Sequence, residues 1–192
     1  MGFFSWAAPM FHRSDKRWTE EDVAMIVGWL KPATGELRTF LDVGGGTGGL
    51  TTRLADRLGI PVTVLDPTPE MVRYIPENSG VTVVLGVAEK MPLPNASFDA
   101  VLICDALHHL RDQREALREI ARVVRAGGAV LVLDLDAARR STKVVGFVER
   151  LLGEPAAFLT PAELGTMMAD CGIIGSCVGE RGPSYHFLGT VD

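Results

Sequence analysis

With 192 residues, 47% of them hydrophobic and 22% charged, and a formal net charge of −5, the chain fits one ordinary globular domain and disfavours a broad grip on nucleic acid. Its three cysteines, Cys104, Cys171 and Cys177, form no CxxC pair, which argues against a disulfide framework or a structural zinc site, and no metal is assigned. No apolar run reaches the ~18 residues of a membrane span, and MGFFSWAAPMF lacks the basic region of an export signal, so a cytoplasmic protein without stable membrane insertion is expected.

Residues 1–18 hold Phe3, Phe4, Trp6, Met10, Phe11 and His12, an aromatic arm able to close over a bound ligand as a lid. Packing on a sheet edge or at a membrane surface are the other readings. Thr19-Glu20-Glu21-Asp22 resembles a capping box ahead of Val23, Ile26, Val27 and Leu30, a helical face. A β-branched run, Thr39–Val43, follows as a strand. Leu50, Leu54 and Leu58 then repeat at helical spacing up to Gly59, a C-cap. Strands are expected at Val62–Leu65, Val81–Leu85 and Ala100–Cys104. Asp112 with Glu115 opens a helix whose apolar face is Leu117, Ile120, Val123 and Val124, ahead of a strand at Ala129–Leu135. Residues 137–160 carry Val144, Val145, Phe147, Val148, Leu151 and Leu152, more apolar than a two-faced helix needs, and read as an acceptor-pocket wall or a partner surface. Thr160-Pro161-Ala162-Glu163 opens a helix with Leu164, Met167 and Met168 that stops at Gly172, before a strand at Ile173–Val178. Gly182-Pro183 is too short for a parallel crossover, so Ser184–Val191 is expected to run antiparallel to its neighbour. Strand and helix in alternation predict an α/β, doubly wound sheet, mostly parallel, with helices on both faces.

The stretch from Leu41 to Leu50, LDVGGGTGGL, joins the first of these strands to a helix. Glycines let the backbone turn sharply and approach a ligand, and the helix start beyond them favours negative charge. Asp66, 22 residues after Gly44, ends the second strand, where a carboxylate takes both hydroxyls of a ribose. Gly44, Gly46 and Gly49 also satisfy the dinucleotide spacing, so a nicotinamide-dependent oxidoreductase is a rival. Asp42 separates the two: a carboxylate there repels a pyrophosphate and suits a ligand carrying an ammonium group. A purely structural Asp42, bonded to the loop backbone, is the alternative.

Four pieces in order, LDVGGGTG, the acid in VTVLDPTPEMV, GVAEKMPLPNASFDAVLICDALHHL and REIARVVRAGGAVLVLD, resemble the class I S-adenosylmethionine-dependent methyltransferases, in the small-molecule branch that includes the quinone C-methyltransferases. The resemblance runs from Phe40 to Asp136, within a cofactor-binding core of residues 39–136. It implies a Rossmann-like sheet of seven strands, S-adenosylmethionine as cofactor and S-adenosylhomocysteine as product. It further implies that Asp42, Gly44 and Gly46 line the methionine moiety, Asp66 the ribose, and Pro67 and Met71 the adenine. Many members have an acid where this chain has Val87, so adenine recognition is expected around Ala88 and Glu89.

Cys104-Asp105-Ala106-Leu107-His108-His109 follows the fourth strand, at the edge where open sheets bind ligands. Cys104 is placed there as a small wall residue beside the cofactor, with nothing cationic next to it in sequence to make it a nucleophile. His109, ahead of His108, is the candidate proton acceptor, oriented by Asp134 at the end of the fifth strand. The expected activity is methyl transfer, by O- or C-methylation first, to a small and partly apolar or aromatic acceptor. The non-enzymatic rival is a binding or partner module that retains the fold.

Overall fold

The computed structural model describes residues 3–34 and 36–192; Met1 and Gly2 of the expected arm lie outside them. The strands are β1 Phe40–Val43, β2 Val62–Asp66, β3 Val81–Leu85, β4 Phe98–Cys104, β5 Val124–Leu135, β6 Ile173–Arg181 and β7 Ser184–Val191. They form one sheet in the order β3-β2-β1-β4-β5-β7-β6. Every pairing is parallel except those of β7, which runs antiparallel to β5 and to β6. The Gly182-Pro183 turn produces that reversal, with Gly182 at φ +59°.

Helices α1 Phe3–Ser14, α2 Glu20–Thr34, α3 Gly49–Leu58, α4 Pro69–Val72, α5 Gln113–Val123, α6 Arg140–Leu151 and α7 Pro161–Ala169 accompany the strands. Strand alternation sends Phe40, Ala100, Leu102 and Leu131 to one face, against Val23, Ile26 and Leu30 of α2 and Leu50 and Leu54 of α3. Leu41, Val43, Val101, Ile103 and Val132 point the other way, onto Leu117 and Ile120 of α5 and Leu164 and Met168 of α7. The expected caps form: Asp112 accepts from the Glu115 N–H, and Thr160 and Glu163 bond reciprocally. Among the described residues no helix is long and apolar enough to cross a membrane.

Three expectations are corrected. The arm is itself a helix, α1, rather than a segment ahead of the first one. The sheet is not covered on both faces throughout, because only the four-residue α4 and a turn lie between β2 and β3, leaving Val83 and Leu85 exposed. Strand β5 begins at Val124, which pairs with Phe98, and regains register at Ala129 opposite Ala100; Gly127 and Gly128 sit inside that irregularity, where the sequence suggests a break.

Candidate active site

Strand β1 lies between β2 and β4, so the chain direction across the sheet reverses at its carboxyl end, the position where open α/β sheets bind ligands. A crevice of about 580 Å³ opens there. The floor is the glycine turn. Gly44 has φ +74° and a side-chain carbon on it would lie 2.6 Å from Ala106 Cβ; Gly46 has φ +56° and would meet Met71 Cε at 3.0 Å. Only glycine lets the backbone pass this close to its neighbours in that conformation.

Two buried carboxylates border the turn. Asp42, on β1, is 3% exposed and accepts a 2.5 Å hydrogen bond from Thr51 Oγ1 of α3. Burial pushes its pKa up to about 6, against the Thr51 bond and with the Asp66 charge adding to the rise. Asp66 ends β2, and its two oxygens accept from the backbone N–H groups of Gly46 at 3.0 Å and Thr68 at 2.8 Å. Burial raises its pKa, and those two amides oppose the rise. A carboxylate offers about four lone-pair positions, so each oxygen keeps capacity for one further donor. Pro67, Met71 and Cys104 complete this part of the wall. Burial, then the charges of Asp105 and Asp42, push the Cys104 thiol up, so it stays protonated.

Helix α1 and the turn behind it cover the crevice. Phe4 and Phe11 line it, as do Asp15, Arg17 and Trp18. Ser5 bonds to Glu70 of α4 at 3.1 Å, the rings of His12 and Tyr74 stack with centroids 4.4 Å apart, and those of Phe4 and His109 meet nearly perpendicular with centroids 4.9 Å apart. Arg17 Nη2 holds Asp105 Oδ2 at 2.8 Å across the mouth, and Thr47 Oγ1 donates to both oxygens of Asp15. No motif or spacing in the sequence points to these last pairs. The one local signal is Asp105, which takes φ +51° directly after β4, a conformation Asp tolerates better than most side chains.

The histidines divide. His108 is 3% exposed, its Nδ1 lies 2.6 Å from Asp134 Oδ1, and its ring stacks on Phe158 at 4.2 Å. Burial opposes its charge, but Asp134 and Glu149 outweigh burial and push it up to about 9. His109 lines the crevice, with Nδ1 3.0 Å from the Pro155 carbonyl. Burial and the neighbouring His108 hold it below the usual histidine range. Asp134 is therefore bonded to His108, while the ring on the crevice wall is His109. Ala88, Glu89, His108 and Asp134 do not line the crevice; Glu89 instead accepts from the N–H groups of Arg111 and Asp112. From residues 137–160 the crevice takes Gly153, Glu154 and Pro155, whereas Val144, Phe147, Val148 and Leu151 of α6 face solvent.

Comparison with known proteins agrees with this geometry. Residues 41–132 match the family model described as a methyltransferase domain. An uncharacterized methyltransferase of Mycobacterium tuberculosis is 47% identical over 103 residues, covering 53% of this chain and 41% of that protein. A ubiquinone/menaquinone biosynthesis C-methyltransferase of Caulobacter vibrioides is 34% identical over 124 residues, 58% of this chain and 48% of the relative. The chain thus spans less than half the length of these relatives. Among solved structures, an S-adenosylmethionine-dependent methyltransferase of Thermotoga maritima, described as a possible histamine N-methyltransferase, superposes with a TM-score of 0.76 at 22% identity, covering 98% of both chains. Residues 41–132 thus match a methyltransferase domain in sequence, and the chain shares the fold of the S-adenosylmethionine-dependent methyltransferase of Thermotoga maritima.

Proposed function

We propose that this chain binds S-adenosylmethionine in the crevice and transfers its methyl group to a small, partly apolar or aromatic acceptor, by O- or C-methylation. One observation carries the reading: two buried carboxylates, Asp42 and Asp66, flank a single glycine turn at the carboxyl ends of β1 and β2. The residues present fit the cofactor. Asp42 matches an ammonium group, Asp66 keeps lone pairs for ribose hydroxyls, and Gly44 and Gly46 leave the cradle that a side-chain carbon would fill. A dinucleotide fits poorly, because Asp42 would face its pyrophosphate.

When bound, S-adenosylmethionine supplies a methyl group on a cationic sulfonium, and the chain's own residues position and desolvate. Asp42 binds the amino-acid end and Asp66 the ribose, with Pro67 and Met71 beside the adenine. Phe4 and Phe11 exclude water above the crevice and give the acceptor an apolar surface. His109 accepts the acceptor's proton: Pro155 O can only accept, so Nδ1 carries the hydrogen and Nε2 is the basic nitrogen. His108, bonded to Asp134, backs His109 at 4.0 Å and is a positioning residue. A small acceptor also agrees with the names of the Caulobacter and Thermotoga proteins.

The test is calorimetry with S-adenosylhomocysteine beside NADH, followed by an acceptor screen with labelled methyl donor read by mass shift. Saturable one-to-one binding of the homocysteine ligand, no NADH binding and a labelled product are expected. Absence of S-adenosylhomocysteine binding would overturn the reading; binding without transfer to any acceptor would leave a binding module.

A further inference from the structure

Behind the crevice wall, three side chains from distant parts of the chain converge. His108 Nε2 lies 3.7 Å from Glu149 Oε1, and His109 Nε2 lies 3.9 Å from the same oxygen. One ligand atom from each of the three is within 4.8 Å of the others. These separations are too long for hydrogen bonds. The two Glu149 distances exceed by about half an ångström the ~3.3 Å that separates two ligands of a tetrahedral ion at 2.0–2.1 Å from each, and the third pair, within 4.8 Å, closes by a small turn of the rings.

The far sides of the rings make the arrangement specific. His108 Nδ1 is bonded to the Asp134 carboxylate at 2.6 Å, and His109 Nδ1 to the Pro155 carbonyl at 3.0 Å. Both partners accept, so Nδ1 carries the hydrogen in each ring and Nε2 is the nitrogen directed at Glu149, free to bind an ion that displaces any proton held there. Metal-bound histidines are held in this way, with the second ring nitrogen donating to a carboxylate or a backbone carbonyl. Glu149 adds a second, independent feature: its Oε2 is buried with no hydrogen-bond partner, an arrangement disfavoured in a folded protein. No sequence spacing reveals the group, because Glu149 lies on α6, 40 residues beyond His109.

We infer that His108, His109 and Glu149 bind a divalent transition-metal ion of the zinc type, through two Nε2 atoms and one carboxylate. Two imidazoles and a carboxylate suit zinc or a neighbouring transition metal rather than magnesium or calcium, which take oxygen ligands. Asp134 and Pro155 O are the outer partners. The inference goes beyond methyl transfer and does not rest on it. The two readings compete for one atom: an ion on His109 Nε2 takes the lone pair that otherwise accepts the acceptor's proton, so the metal-loaded chain has no base at that position.

The test uses the full chain, stripped with a chelator and titrated with Co²⁺ followed by visible absorption, then with Zn²⁺ against a chromogenic chelator. One equivalent per chain is expected, with the ligand-field bands of a low-coordinate Co²⁺ site. Glu149→Gln and His109→Gln, both at partly exposed positions, should each weaken Zn²⁺ binding by about a hundredfold, and Asp134→Asn by about ten- to a hundredfold. His12→Gln and Cys177→Ser, which remove an exposed imidazole and an exposed thiol away from the cluster, should leave it unchanged. Circular dichroism identifies any variant that fails to fold, and the Glu149 and His109 variants decide the outcome. Absence of stoichiometric binding, or binding that these two variants leave intact, would overturn the site. S-adenosylhomocysteine binding on the same samples separates the two proposals: metal uptake without it sinks the methyl-transfer reading alone.

Discussion

Asp42→Asn separates what the buried acid costs the fold from what it does for the ligand. Moving the acid from 3.8 to about 6 corresponds to about 3 kcal/mol against its ionised form. That figure is already net of the Thr51 bond, which the amide oxygen still accepts, but the new amide N–H group is buried without an acceptor, at a cost of about 1–2 kcal/mol. The ligand-free variant should therefore be more stable than the parent at pH 7.5, by about 1 kcal/mol or roughly 2–4 °C in Tm. Binding of S-adenosylhomocysteine should move the other way, losing about 2–3 kcal/mol of ammonium–carboxylate interaction, a roughly 30- to 150-fold rise in Kd. The pH dependence has a definite sign. The folded ligand-free chain holds an extra proton between 3.8 and about 6, so its stability gains from Asp42 as pH falls through that window. Affinity for the ligand falls over the same range, by about tenfold one pH unit below 6, because the protonated acid no longer attracts an ammonium group. Paired thermal melts and calorimetry from pH 7.5 to 5 measure both. In the variant the affinity profile should flatten, leaving only what Asp66 contributes. Unchanged S-adenosylhomocysteine affinity in the variant, or a loss of stability without a loss of affinity, would refute the assignment of Asp42 to the ligand.

Three further outcomes test neighbouring parts of the site. Phe4→Ala removes the ring whose centroid lies 4.9 Å from that of His109; acceptor KM should rise about tenfold, roughly the 1–2 kcal/mol of an aromatic contact, with S-adenosylhomocysteine Kd within twofold of the parent. Asp134→Asn keeps an acceptor 2.6 Å from His108 but removes the negative charge beside that buried ring, and should destabilise the chain by about 3 kcal/mol in a denaturant titration. Gly44→Ala should destabilise more than Gly46→Ala, although both force a side chain into the left-handed region at about 1–2 kcal/mol. The new carbon at 44 meets Ala106 Cβ at 2.6 Å, which cannot rotate away, whereas at 46 it meets the flexible end of Met71 at 3.0 Å.

Local chemistry made much of this fold legible. Val23, Ile26, Val27 and Leu30 are all buried because one helical face has one neighbour to meet, and a two-residue turn at Gly182-Pro183 permits only an antiparallel partner for Ser184–Val191. The failures occur where cover depends on something other than the strand itself. Val81–Leu85 is as apolar as the central strands, yet its exposure follows from the shortness of α4, a property of another segment. The apolar side chains of α6 likewise mark a surface more apolar than a two-faced helix needs, but not that its Val144, Phe147 and Leu151 face solvent while the crevice takes Gly153, Glu154 and Pro155.

The site divides along the same line. Asp42, Gly44, Gly46 and Asp66 are readable because a strand end followed by a glycine turn leaves its carboxylates one place to go, and all four line the crevice. His108 and His109 are not separable in sequence. They stand side by side in a 3₁₀ turn, Leu107–His109, entered through Asp105 at φ +51°, and neither a period of two nor one of 3.6 predicts which ring turns inward. The choice is made by partners that are distant along the chain. Asp134 of β5 and Phe158 enclose His108, and Pro155 O turns His109 toward Phe4. Glu149 reaches both rings from α6, 40 residues further along the chain. The proposed cofactor grip at neighbouring strand ends is thus inscribed in local sequence, whereas the histidines proposed to face the acceptor are placed by tertiary packing.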